Sequence, residues 1–134
     1  MTDTESAEGL VHSILEAFEA KDSARLLSLC THDVLFEFPF LDLTVTADEL
    51  EKKVMSTLKV MSGLTFSEIQ VEPLARPGWH LARYRARATV STTGKEYRQI
   101  YITLVGLHDG RVSHFQEHFN TAAFKSAMQP NRPE

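Results

Sequence analysis

Leu10, Val11, Ile14, Leu15 and Phe18 recur at spacings of one, three, one and three across residues 8–20, the apolar stripe of an amphipathic helix. Lys21-Asp22-Ser23 interrupts that stripe, and Asp22 or Ser23 is placed to cap a second short helix over 24–30. Val34-Leu35-Phe36-Glu37-Phe38 carries the β-branched and aromatic residues of a strand, which Pro39 ends or confines to a sheet edge. Thr46-Ala47-Asp48-Glu49 reads as a capping box, with Thr46 at the cap and Glu49 three residues on. It opens a third helix whose apolar stripe is Leu50, Val54, Leu58 and Met61.

After Gly63 the period changes from helical to alternating. Residues 65–71, 79–91 and 96–107 read as strands, separated by turns at Arg76-Pro77-Gly78 and Thr93-Gly94-Lys95. Asp109-Gly110 is a strong hairpin signal, so 111–119 is predicted as a further strand. Val112, Phe115, Phe119, Ala122 and Ala123 also fit helical spacing, but the turn and the need of the 96–107 strand for a partner favour the strand. Asn120 or Thr121 is placed to cap a last helix over 122–128, and residues 1–7 and 129–134 read as loose tails. The result is three helices followed by a four-stranded antiparallel meander: an α+β domain with helices on one face of a curved sheet.

Strand alternation sorts side chains into two sets. Tyr84, Ala86, Ala88 and Val90 share a face in one strand; Tyr97, Gln99, Tyr101, Thr103 and Val105 share one in the next; Phe115, Glu117 and Phe119 share one in the last. The small alanines beside these aromatics suggest the wall of a pocket. The opposite set holds Arg83, Arg85, Arg87, Arg98, Ile100, Ile102, Leu104, His114 and His118. An apolar and cationic sheet face of this kind predicts a homodimer formed through the sheet.

Composition adds limits. The 134 residues suit one domain with a sizeable core, and 43% hydrophobic and 24% charged residues are ordinary for a globular chain. The net charge is −4 and the Lys and Arg form no block, so nucleic acid is not an expected partner. No apolar run reaches the ~20 residues that cross a bilayer, and the acidic start is unlike a signal sequence, so no membrane association is expected. One cysteine, Cys30, allows no internal disulfide and suits a reducing cytoplasm; it reads as a core residue of the second helix.

Two chemistries compete in Asp109–Asn120. As a helix, His114-x-x-Glu117-His118 is the string of an inverted zinc-hydrolase motif. As a strand, it sets His114 and His118 about 13 Å apart at ~3.3 Å per residue, too far to share a metal. The strand reading therefore expects no metal. It leaves Glu117 flanked by Phe115 and Phe119, where desolvation raises a carboxyl pKa toward the range useful for proton transfer. Tyr84, Tyr97 and Tyr101 offer hydroxyls to a ligand, and Gln99 or Thr103 can orient it. His12, His32, Asp33, His80 and His108 read as solvated residues at element ends. No Gly-rich phosphate loop, Gly-x-Ser-x-Gly elbow or Cys-His pair supports phosphoryl transfer or nucleophilic hydrolysis.

Taken in order, Ala20-Lys21-Asp22, Leu27 through His32-Asp33-Val34, Phe36-Glu37-Phe38-Pro39, Thr93-Gly94-Lys95 and Asp109-Gly110-Arg111-Val112 through Glu117-His118-Phe119-Asn120 resemble the SnoaL-like proteins of the nuclear transport factor 2-like, ketosteroid isomerase-like superfamily. The resemblance spans nearly the whole chain. It implies a cystatin-like α+β cone with a deep apolar pocket, usually dimeric, and a strand over 111–119. The ketosteroid isomerase residues are absent: Ile14 stands where that family has a tyrosine, Phe38 at its general-base aspartate, and about Thr103 at its oxyanion-hole aspartate. The branch most similar in its last strands is the phenazine-biosynthesis A/B proteins, where Tyr97 and Glu117 match and the glutamate acts as acid/base. The histidine that accompanies it there has no match in 46–61. The expectation is an isomerase, cyclase or dehydratase without metal or organic cofactor, acting on a largely apolar cyclic or aromatic metabolite. Glu117 is its acid/base, and Tyr84, Tyr97, Tyr101, Gln99, Thr103, Phe115, Phe119, Phe38, Ile14 and Phe18 line its pocket. The alternative is a module of the same fold that binds a hydrophobic ligand without chemistry.

Overall fold

In the computed structural model of the chain, which describes residues 3–130, helix α1 (Asp3–Ala20) buries Val11, Ile14, Leu15, Ala17 and Phe18 as their spacing requires. Residues 3–7, expected as tail, belong to this helix; residues 1–2 and 131–134 lie outside the described residues. Lys21 ends α1 in the left-handed region (φ 56°), and its ammonium donates to the Met61 carbonyl at 2.7 Å. Asp22 then caps α2 (Ser23–Ser28), its carboxylate accepting the Arg25 N–H at 3.0 Å.

Cys30 is the first residue of strand β1 (Cys30–Phe38) rather than the end of a helix. Its thiol is buried and faces the Leu26 carbonyl, and burial pushes its pKa up to about 12, which makes it inert. A short strand not foreseen from the sequence, β2 (Leu43–Thr46), pairs antiparallel with β1. The capping box forms: the Thr46 N–H and hydroxyl both donate to Glu49 Oε1, at 3.2 and 3.1 Å. The segment it opens is not one regular helix. Ala47–Glu49 is a 3₁₀ turn, Glu51–Met55 a π turn, and only Ser56–Leu58 (α3) is α-helical. Bonding from i to i+5 brings Leu50 and Met55 onto one face, and both are fully buried. Val54 and Leu58 are left half-buried beside them.

Strands β3 (Met61–Pro73), β4 (Trp79–Val90), β5 (Glu96–His108) and β6 (Arg111–His118) complete a six-stranded sheet in the order β2-β1-β6-β5-β4-β3. The meander β3-β4-β5-β6 is antiparallel throughout, while β6 pairs parallel with β1. Asp109 (φ 50°) and Gly110 (φ 75°) both take left-handed conformations in the β5–β6 turn, as a two-residue hairpin of this twist requires. Helix α4 (Thr121–Met128) comes last, capped by Asn120 Oδ1, which accepts the Ala123 N–H at 3.1 Å. The sheet is curved and open, with the helices on its inner face. Among the described residues, no helix is long and apolar enough to cross a membrane.

The two side-chain sets fall as alternation predicts. Tyr84, Ala86, Ala88, Val90, Tyr97, Gln99, Tyr101, Thr103 and Val105 are buried, and Arg83, Arg85, Arg87 and Arg98 are exposed on the other face. Ile100 and Ile102 remain 40% and 44% exposed among those arginines. The alanines of β4, expected at a pocket wall, belong to the buried core, and α1 approaches the sheet chiefly at β3. The carboxylate of Glu19 on α1 accepts the Phe66 N–H of β3 at 2.9 Å, fixing that approach. His80, expected to be solvated, is buried on β4.

Candidate functional site

Register places the acid. Thr103 lies opposite Glu117 across β5–β6, and Tyr84 lies opposite Tyr101 across β4–β5, so the Tyr84 ring runs diagonally under the sheet to Glu117. Its hydroxyl donates to Glu117 Oε2 at 2.7 Å and meets Thr103 Oγ1 at 2.8 Å. Tyr84 has a single proton; giving it to Glu117 leaves its oxygen to accept the Thr103 hydroxyl. The chain Thr103→Tyr84→Glu117 is thus a directed donor series ending on the carboxylate. A second hydroxyl pair joins Tyr97 to Tyr101. The Tyr101 ring stacks on Tyr84 and leans on Phe119, with centroids 5.3 Å from each.

Glu117 opens onto a cavity with two lobes of about 100 and 40 Å³. Both are lined by Phe38, Val54, Leu58, Met61, Tyr101 and Glu117. The larger adds Leu41, Leu43, Lys53, Thr57, Phe119 and Phe124; the smaller adds Phe18, Leu64 and Phe66. Together they approach the ~150 Å³ that accommodates a benzene-sized molecule. Enclosure in this apolar wall raises the Glu117 pKa from 4.5 to about 7, against the smaller opposing effect of the Tyr84 hydrogen bond. Burial, reinforced by the Glu117 charge, holds the Tyr84 and Tyr101 hydroxyls well above the usual phenol range. Both therefore stay protonated donors near neutral pH.

Of the residues expected at the site, Glu117, Tyr101, Phe119, Phe38 and Phe18 meet at the cavity. Tyr84 and Thr103 stand behind Glu117 as its support. The others do not line it. Ile14 is fully buried in the core, and Phe115 is packed between Phe18 and Phe36. Tyr97 reaches the cavity only through Tyr101 and packs against Phe124. Gln99 commits its amide to the backbone of Asn120, donating to its carbonyl at 2.9 Å and accepting its N–H at 3.1 Å, so it anchors α4 instead of orienting a ligand.

Lys53, Thr57, Leu41, Leu43 and Phe124 were not foreseen. The apolar stripe over 50–61 does signal this part of the cavity lining, but a stripe of apolar residues reads as core unless the element's irregularity is known. His114 and His118 take other partners. His114 packs on Trp79 at 5.3 Å and bonds Ser113 at 3.1 Å; His118 sits edge-on to Phe40 at 5.4 Å with Nε2 3.0 Å from Gln116 Oε1. Among the described residues, no three potential metal ligands are grouped.

The profile of the SnoaL-like domain family matches residues 11–115. A search of curated protein sequences returned no match. Solved structures share the fold. A candidate isomerase from Bacillus subtilis superposes with a TM-score of 0.85 at 22% identity, covering 95% of each chain. A candidate polyketide cyclase from Xanthomonas campestris pv. campestris gives 0.80 at 16%, covering 96% of this chain and 100% of that one. A phenazine biosynthesis-related protein from Pseudomonas aeruginosa gives 0.73 at 15%, covering 98% and 93%. At these identities the likeness is one of fold.

Proposed function

The chain belongs to the SnoaL-like domain family, and from that premise we propose that it is a cofactor-independent enzyme of the isomerase, cyclase or dehydratase type. Its substrate is a small, largely apolar cyclic or aromatic metabolite, and its acid/base is Glu117. The observation that supports this best is the Glu117 carboxyl at an apolar cavity, its pKa raised by burial to about 7, with a donor behind it at 2.7 Å. Near neutral pH both forms of Glu117 are populated, so one side chain can remove a proton from a carbon acidified by a neighbouring carbonyl and return it elsewhere. Tyr84, still protonated, steadies the carboxylate while it is charged. With Tyr97 donating to Tyr101, the Tyr101 proton is free for an oxygen that gains charge in the cavity.

Incubation in D₂O with small cyclic ketones and enones tests the reading by deuterium incorporation at carbon. Exchange above the buffer rate that falls at least about a hundredfold in Glu117→Gln is expected. Equal exchange by the variant removes Glu117 from the chemistry. Binding of these compounds with no exchange in either protein favours a ligand-binding module instead.

The exposed outer face, with Ile100 and Ile102 among arginines, supports a homodimer formed through the sheet.

A further inference from the structure

Lys53 is the one cationic side chain on the larger lobe among the described residues, and it shares that lining with Glu117. Its position stems from the π turn Glu51–Met55: with Leu50 and Met55 both fully buried, Lys53 and Val54 turn onto the cavity wall. Such turns are rare and concentrate at functional positions. Lys53 pairs with Glu49 Oε2, one turn earlier, but the two side chains are 40% and 38% exposed. A pair that open to solvent is screened and weak, so a ligand competes for the ammonium with little opposition. Glu49 does not lose all its partners in that exchange, because Thr46 holds its other oxygen by two donors. Lysine carries three donors on a flexible stem, enough to serve both. Thr57, four residues on and on the same wall, adds a hydroxyl. Glu117 is the only other charged residue on the lining among the described residues, and its partial protonation near neutral pH weakens its repulsion of an anion.

Resting on the reading of this cavity as a ligand site, we infer that its ligand is a small carboxylate. The charged group lies at Lys53 and Thr57, the apolar body lies against Phe38, Leu58 and Phe119, and the reacting carbon is turned toward Glu117.

Benzoate and its neutral isostere benzamide separate the outcomes when titrated into the full chain and followed by amide chemical shifts. Both are expected to perturb cavity residues, with benzoate bound about tenfold more tightly. Lys53→Met should erase that preference while keeping benzamide binding, which shows that the variant is folded; Lys53→Arg should retain the preference. Equal affinities in the wild type, or a preference that survives Lys53→Met, overturns the carboxylate inference and leaves the cavity as a ligand site. If neither probe reaches the cavity, both readings fall.

Discussion

Glu117 holds its proton more tightly than a free carboxyl because the wall around it solvates charge poorly, and this ties its chemistry to stability. Its folded pKa of about 7 exceeds its ordinary 4.5. Below 4.5 both folded and unfolded chains carry the proton, and the stabilising contribution is complete. As pH rises from there to about 7 the unfolded chain ionises first and stability falls; above about 7 the loss is complete. The ceiling on that loss is on the order of 3 kcal/mol, reduced by solvent that reaches the carboxylate through the cavity. The exposed carboxylates Glu49, Glu51 and Glu96 have lowered pKa values, so their contributions are lost only at more acidic pH, outside this window. Denaturant midpoints should therefore drop between about pH 4.5 and about pH 7 in the wild type, and stay nearly level in Glu117→Gln. Tyr84→Phe removes the donor that favours the charged form. It should move the Glu117 midpoint higher and cost about 1–2 kcal/mol, since Thr103 also loses its acceptor. A Glu117 titration that is unchanged in this variant would deny Tyr84 its supporting part.

Local signals made some elements legible and left others hidden. Asp109-Gly110 and Thr93-Gly94-Lys95 mark hairpins by backbone chemistry, and Asp22, Asn120 and Thr46-Glu49 mark helix starts by capping chemistry. No such marker announces β2 or the parallel pairing of β1 with β6, which joins residues some eighty positions apart. The π turn is hidden for another reason: Leu50, Val54 and Leu58 fit an α-helix, and only the burial of Met55 shows that the period is longer. That turn and α4 supply the parts of the cavity wall that carry no long regular hydrogen-bond ladder. Asn120→Ala deletes the cap of α4 and should cost about 1 kcal/mol in thermal or denaturant unfolding. Because Phe124 of α4 lines the cavity, the same variant should also weaken benzamide binding. Unaltered affinity would mean that Gln99, Thr93 and Lys95, which bond the backbone at the two ends of α4, hold it without the cap.

At the scale of the whole molecule, alternation in β4 and β5 separated the inner from the outer face correctly, yet it could not say which inner residues meet empty space. Phe115 and Glu117 both point inward from β6; only the helical wall across from them decides that the first is core and the second borders a cavity. The outer face bears on assembly. Ile102→Glu, at a site 44% exposed, should leave the fold intact and convert a species near twice 15.1 kDa into one of 15.1 kDa in sedimentation equilibrium. A wild type that is already monomeric contradicts dimerisation through the sheet. Whether Glu117 is poised for proton transfer near neutral pH is read by a ¹³C NMR titration of glutamate-labelled protein, with Glu117→Gln to assign the signal. A Glu117 carboxyl midpoint of about 7 is expected; a midpoint at the ordinary value of 4.5 would mean that the cavity does not hold the proton and that Glu117 is not the acid/base.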